Sequence, residues 1–212
     1  MAEATLNPGD HERIAAAIRA AEAETAGEIY CVVARRSEGY FFASAFAATL
    51  GILVVGVAAA YLLQYWWIDI SLPHFLIVQL LAVAAVCALL WWWPPLRIWL
   101  VPRRLLYRAA HANALRQFYA RNVHLTAART GVLVFVSLAE RYAAVIADAS
   151  IDAKVDQAKW DGVVRDLIGH ARENRLADGF VAAIATVGGL LAEHFPVSAK
   201  DVNELDDHLV EI

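Results

Sequence analysis

The chain has 212 residues, 60% of them hydrophobic and 19% charged, with a mean hydropathy of +0.48, well above the usual soluble balance. That excludes a chain made wholly for water, and a net charge of -4 with a pI near 6.0 removes the global basic bias of a nucleic-acid binder. Cys31 and Cys87 lie inside apolar runs, so neither a disulfide framework nor a metal knuckle is expected, and a reducing compartment fits.

The first residues, MAEATLNPGDHERI, have no basic region leading into an apolar stretch, so no cleavable secretory signal is expected. A helix follows: Asn7 is placed to cap it, Pro8 suits its first turn, and Ile14, Ala17, Ile18 and Ala21 repeat on one face. Thr25 to Gly27 ends it. Residues 28–34 then read as a strand, and the unbroken IYCVVA suggests burial on both faces.

Residues 40–63 and 75–93 carry no charged side chain, and each meets the roughly 20-residue length that crosses a 30 Å hydrocarbon core. Both read as transmembrane helices. The soluble alternative, two helices buried in one large core, lacks the remaining chain to cover them on all sides. The connection QYWWIDISLPH sets Trp66 and Trp67 at interfacial depth. Trp91, Trp92 and Trp93 stand at the far boundary, followed by Pro94 and Pro95, and Trp99 extends the contact along the interface. Arg35 and Arg36 precede the first span, whereas Arg97, Arg103, Arg104 and Arg108 follow the second, and the connection has no Lys or Arg. The positive-inside rule then puts both termini in the cytoplasm, which for a bacterium means an inner-membrane protein.

Inside the spans the notable polar residues are Ser44, Thr49, Gln79 and Cys87, with no charge among them, so transport by this hairpin alone is not expected. Ala43, Ala47 and Gly51 at four-residue spacing, with Gly56 and Ala60 behind them, offer a small-residue face. That face serves either packing of the hairpin on itself or a homo-oligomer.

From Arg97 to Arg129 there are seven arginines and no acidic residue. A helix from Arg103 to about Ala128 is expected, with Leu105, Leu106, Ala109, Leu115 and Phe118 inward, and its arginines suit anionic lipid headgroups rather than nucleic acid. GVLVFVSL, residues 131–138, is the strongest strand signal. A turn near Ala139 to Arg141 and a second strand through Asp148 complete an antiparallel hairpin. Helices around Trp160 to Ala171 and from about Asp178 to His194 follow, the latter stopped by Pro196.

Neither flank of the spans can bury a sheet alone, so residues 1–38 and 97–212 are expected to form one α/β domain with helices on both faces of its sheet, split by a hairpin over residues 39–96. TAGEIYCVV at 25–33, TGVLVFVSLAERYAAVIAD at 130–148, DGFVAAIATVGGLLAEHFP at 178–196 and NEL at 203–205 together resemble the TPM domain family. The closer likeness is to its bacterial membrane branch with an inserted two-helix hairpin. The resemblance implies a TPM-like sheet. It further implies either an assembly, repair or receptor-accessory role or the phosphatase activity attributed to a plant member.

Phosphatase chemistry requires a nucleophile or a metal-bound water, plus positive groups for the phosphoryl oxygens. Cys31 lacks the arginine six positions on, Ser137 lacks a glycine elbow, and His11-Glu12 and Glu193-His194 are not HExxH. The most suggestive group is Asp148, Ser150, Asp152 and Asp156, whose oxygens could turn toward one divalent ion, Ca or Mg. Turn formation and helix capping are the competing roles. The expectation is therefore an accessory or regulatory module with an unknown protein partner; the alternative is a membrane-tethered phosphatase dependent on a divalent cation.

Overall fold

The computed structural model describes residues 6–126, 128–197 and 204–212. Two compact units divide the chain: one runs to Ser37 and resumes at Tyr107, and the other is Glu38–Leu106.

The first unit opens with α1 (Pro8–Glu22). Asn7 and Asp10 form a reciprocal capping box: the Asn7 side chain accepts from Asp10 N at 2.8 Å while Asp10 accepts from Asn7 N at 3.1 Å. Strand β1 (Glu28–Ala34) is buried along its whole length, as its unbroken apolar run predicts. The chain then forms the second unit from α2 (Phe41–Tyr65), α3 (Leu72–Trp92) and α4 (Pro94–Leu100). Helix α5 (Arg103–Ala120) leads back into the first unit. It is shorter than expected, because Asn122 takes a left-handed φ of 58° and only a 3₁₀ turn, Val123–Leu125, follows.

Strands β2 (Gly131–Ser137) and β3 (Tyr142–Ala147) form the expected hairpin, with Arg141 in the left-handed region at its turn. Short α6 (Ala149–Asp152), then α7 (Gln157–Arg172) and α8 (Leu176–His194), lead to β4 (Leu209–Glu211) at the end of the chain. The sheet order is β3-β2-β1-β4, with β1 parallel to β2 and β4 and antiparallel pairing only at β3. Strand β4 was not expected. Its three residues have no period of their own and become a strand by pairing Leu209, Val210 and Glu211 with Cys31, Val32 and Val33.

The two faces of the sheet are covered unequally. Ile29, Cys31, Val33, Val132, Val134 and Val136 point into a large core with α1, α7 and α8, where Ile14, Ile18, Phe180, Ile184 and Leu191 are fully buried. The opposite residues, Tyr30, Val32, Leu133 and Phe135, meet Ala114 and Phe118 of α5 and Val123. Leu105, expected inward, is exposed; Ala110, Ala114 and Phe118 set the buried side of α5 instead.

In the second unit α2 packs against α3 and α4. Gln79 donates to the Ile52 carbonyl at 3.3 Å, and its amide occupies the space a side chain at residue 56 would take, which Gly56 leaves open. Gly51 has nothing within 4 Å of where a side chain would begin. Among the described residues three helices, α2, α3 and α8, are long and apolar enough to cross a membrane, one more than the sequence suggests. They differ in burial: almost none of the apolar stretch of α2 or α3 is buried, whereas half of that of α8 is.

Candidate functional site

A polar cleft of the first unit lies where α1 ends and β1 begins, a space of about 320 Å³ lined by Arg19, Glu22, Thr25, Glu28, Val197 and Asp207. The chain makes a tight corner there: Thr25 Oγ1 donates to the Phe195 carbonyl at 2.7 Å and accepts from Gly27 N at 3.1 Å. That corner brings three carboxylates together. Glu22 accepts from Ile29 N at 2.8 Å, and Glu28, buried at the start of β1, accepts from Glu204 N at 3.2 Å. Asp207 completes the lining from the segment before β4.

Burial pushes the Glu22 carboxyl up to about 8, and the charges of Glu28 and Asp207 add to the effect, while the Ile29 N–H works against it. Glu22 is therefore largely protonated at neutral pH. The same burial, with the Glu22 charge second, pushes the Cys31 thiol up, which keeps it protonated and unreactive. Arg19 is the one cation lining the cleft among the described residues, and it meets Glu12 at 3.3 Å. An acidic lining of this kind repels a phosphate ester rather than holding it.

Of the acidic residues that the sequence singles out, Asp148 Oδ1 caps α6 through Ala149 N at 2.6 Å, and its buried Oδ2 has no hydrogen-bond partner. Asp156 caps α7 through Ala158 N at 3.0 Å, and Asp152 is exposed on α6. Among the described residues no group of three or more His, Cys, Asp or Glu side chains is placed to hold a metal ion, and the contacts given for Asp148 and Asp156 are those of helix caps. Ser137 is fully buried and donates to Glu140, itself buried. Glu140 also accepts from Ser37 N at 3.0 Å, and the Ser37 and Ser137 hydroxyls are 2.9 Å apart. This network ties the ends of β1 and β2 together where the first unit breaks off, with the Ser137 hydroxyl fully buried in it.

The aromatic and basic residues assigned to an interface divide in two. Trp66, Trp67, Trp91, Trp92, Trp93 and Trp99 are all exposed, Trp67 at 92% and Trp99 at 89%. Arg103, Arg104 and Arg108 are exposed as well. Arg97 is not a free cation: it donates to the Leu90 carbonyl at 2.8 Å and the Trp91 carbonyl at 3.0 Å, and its guanidinium lies 5.4 Å from the centre of the Phe41 ring. It therefore closes the C-terminus of α3.

Sequence reasoning missed the acidic corner. TAGEI and NEL stand out in the chain, but their carboxylates are 176 residues apart, from Glu28 to Glu204, and only the pairing of β4 with β1 brings those segments together.

No family model and no curated protein matches this sequence. Among solved structures, the chain is similar to the NMR structure of the BA42 protein from the psychrophilic bacterium Bizionia argentinensis. The TM-score is 0.61 and the identity 18%, with 100% of this chain and 99% of the other covered. At that identity the likeness concerns the fold, a mixed α/β sheet with helices around it.

Proposed function

We propose that the protein is a membrane-anchored accessory or regulatory module of the bacterial inner membrane, with a TPM-like cytoplasmic domain split by a transmembrane hairpin. The observation that carries this reading is the contrast between α2 and α3 and the rest of the chain. Their large apolar side chains, from Phe42 and Phe46 to Leu80 and Leu81, stand exposed, which is stable only in a hydrocarbon solvent. Helix α8 is read as a core helix. Its buried side chains, Leu176, Phe180, Ile184, Val187 and Leu191 among them, account for its hydropathy without a bilayer.

A non-enzymatic role is supported by the chemistry of the domain: its polar cleft is acidic, its buried Ser137 is held by Glu140, and Asp148 and Asp156 serve as caps. The test is purification of the full chain in mild detergent, identification of what co-purifies, and a phosphatase assay on the same sample with Mg or Ca added. A defined protein partner and no turnover support the module. Robust cation-dependent hydrolysis that is lost in Asp148→Ala would overturn it in favour of a membrane-tethered phosphatase.

A further inference from the structure

The outward side of α5 combines basic and apolar side chains. Ala110, Ala114 and Phe118 define its buried side. At 3.6 residues per turn the opposite side carries Arg104, Arg108, Ala112 and Arg116, four residues apart, with Leu105 and Tyr119 beside them. All six are exposed, Leu105 at 46% and Tyr119 at 57%. Just beyond the helix Leu125 is 64% exposed, and the His124 ring packs edge-on against Tyr119 with centroids 5.1 Å apart.

The charges of this face have no ion-pair partner among the described residues. Arg13, Arg19 and Arg175 each meet a carboxylate, but among the described residues Arg104, Arg108 and Arg116 form no ion pair. Like charges four apart on a helix repel one another. Arg121 belongs to a different neighbourhood, since its charge and that of Asp206 both act on Tyr30.

We infer that this face docks on an anionic lipid surface along the length of α5, with the arginines at the headgroup phosphates and Leu105, Tyr119 and Leu125 at the acyl boundary. The inference rests on the membrane reading of α2 and α3. Cations that meet lipid phosphates, with apolar side chains beside them that reach the acyl boundary, suit peripheral contact with an anionic bilayer. Three arginines bind a free protein to vesicles only weakly, but a chain already held at the bilayer docks in an intramolecular step, for which a weak contact suffices.

The experiment uses the full chain in nanodiscs, carrying Ala112→Cys with an environment-sensitive fluorophore, in a Cys87→Ser background; Cys31 is buried and stays unlabelled. In discs containing phosphatidylglycerol the label is shielded from an aqueous quencher, and in pure phosphatidylcholine or at high salt it is not. Arg116→Gln lowers the docked-to-free ratio by about fivefold, the factor for one charge near an anionic surface. Equal quencher access in the two lipids would overturn the inference. So would full displacement by soluble glycerol phosphate, which would make free phosphate the ligand, or shielding by a short RNA in neutral discs. Alkaline extraction of vesicles separates this from the reading beneath it. A retained chain with an open label loses the lipid-docking face alone; a released chain loses the transmembrane spans.

Discussion

Glu22 is the residue whose environment departs furthest from water while still touching it. The folded chain holds its proton more tightly than the unfolded chain does, with a pKa near 8 against 4.5. The stability this contributes is fully present below about pH 4.5, falls as pH rises toward 8, and is level above that. Screening in the open cleft reduces the swing to about 2 kcal/mol. Chemical denaturation of the wild type should show this decline between those limits, and Glu22→Gln should flatten it. An unchanged slope in the variant would mean that another group carries the titration. Glu140 is the second sensitive residue. Replacing it by Ala removes the side-chain acceptor of Ser37 N and one of two hydrogen-bond partners of the buried Ser137 hydroxyl, at a cost of about 1–3 kcal/mol, read as a lower denaturation midpoint. Neither role is legible in the sequence, because Glu22, Glu28 and Asp207, like Ser37 and Glu140, meet only after the strands pair.

At the scale of elements, much of the fold follows from local chemistry. Asn7 and Pro8 start α1 as their residue types dictate, GVLVFVS is a fully buried strand, and Pro196 lies just past the end of α8. What the sequence leaves hidden is set by distant partners. Strand β4 exists because β1 offers an edge, and α5 stops at Ala120 rather than near Ala128 because Asn122 adopts a left-handed turn that no apolar period signals.

The packing of α1 on α8 depends on Gly188, where an added Cβ would lie 2.6 Å from the Cβ of Ala21 and 3.3 Å from its Cα. Gly188→Ala must therefore push the two helices apart, and a loss of about 1–3 kcal/mol is expected. Its neighbour is the control. Gly189 has nothing within 4 Å, so Gly189→Ala should be neutral or stabilise by up to about 1 kcal/mol through helix propensity. Equal effects of the two substitutions would contradict the packing described.

For the whole molecule the open variable is the number of membrane crossings. Sequence hydropathy marks α2 and α3, and α8 joins them by length and composition. What separates α8 from the others is burial, which hydropathy does not report: its Phe180 and Ile184 lie in the same core as Ile14 and Ile18 of α1, whereas the apolar side chains of α2 and α3 face outward. On the proposed two-span reading the positive-inside rule would set Arg35 and Arg36 before α2 and Arg103, Arg104 and Arg108 after α4 on one side, and the loop containing Trp66 and Trp67 on the other.

Parity turns this into a measurement. Two spans leave the N- and C-termini on the same side of the membrane, and three put them on opposite sides. A reporter active only in the periplasm, fused before Met1 in one chain and after Ile212 in another, tests this with a third fusion in the Trp66–Trp67 loop as the positive control. Two spans with cytoplasmic termini give silence at both ends and activity in the loop; activity at either terminus would contradict that topology.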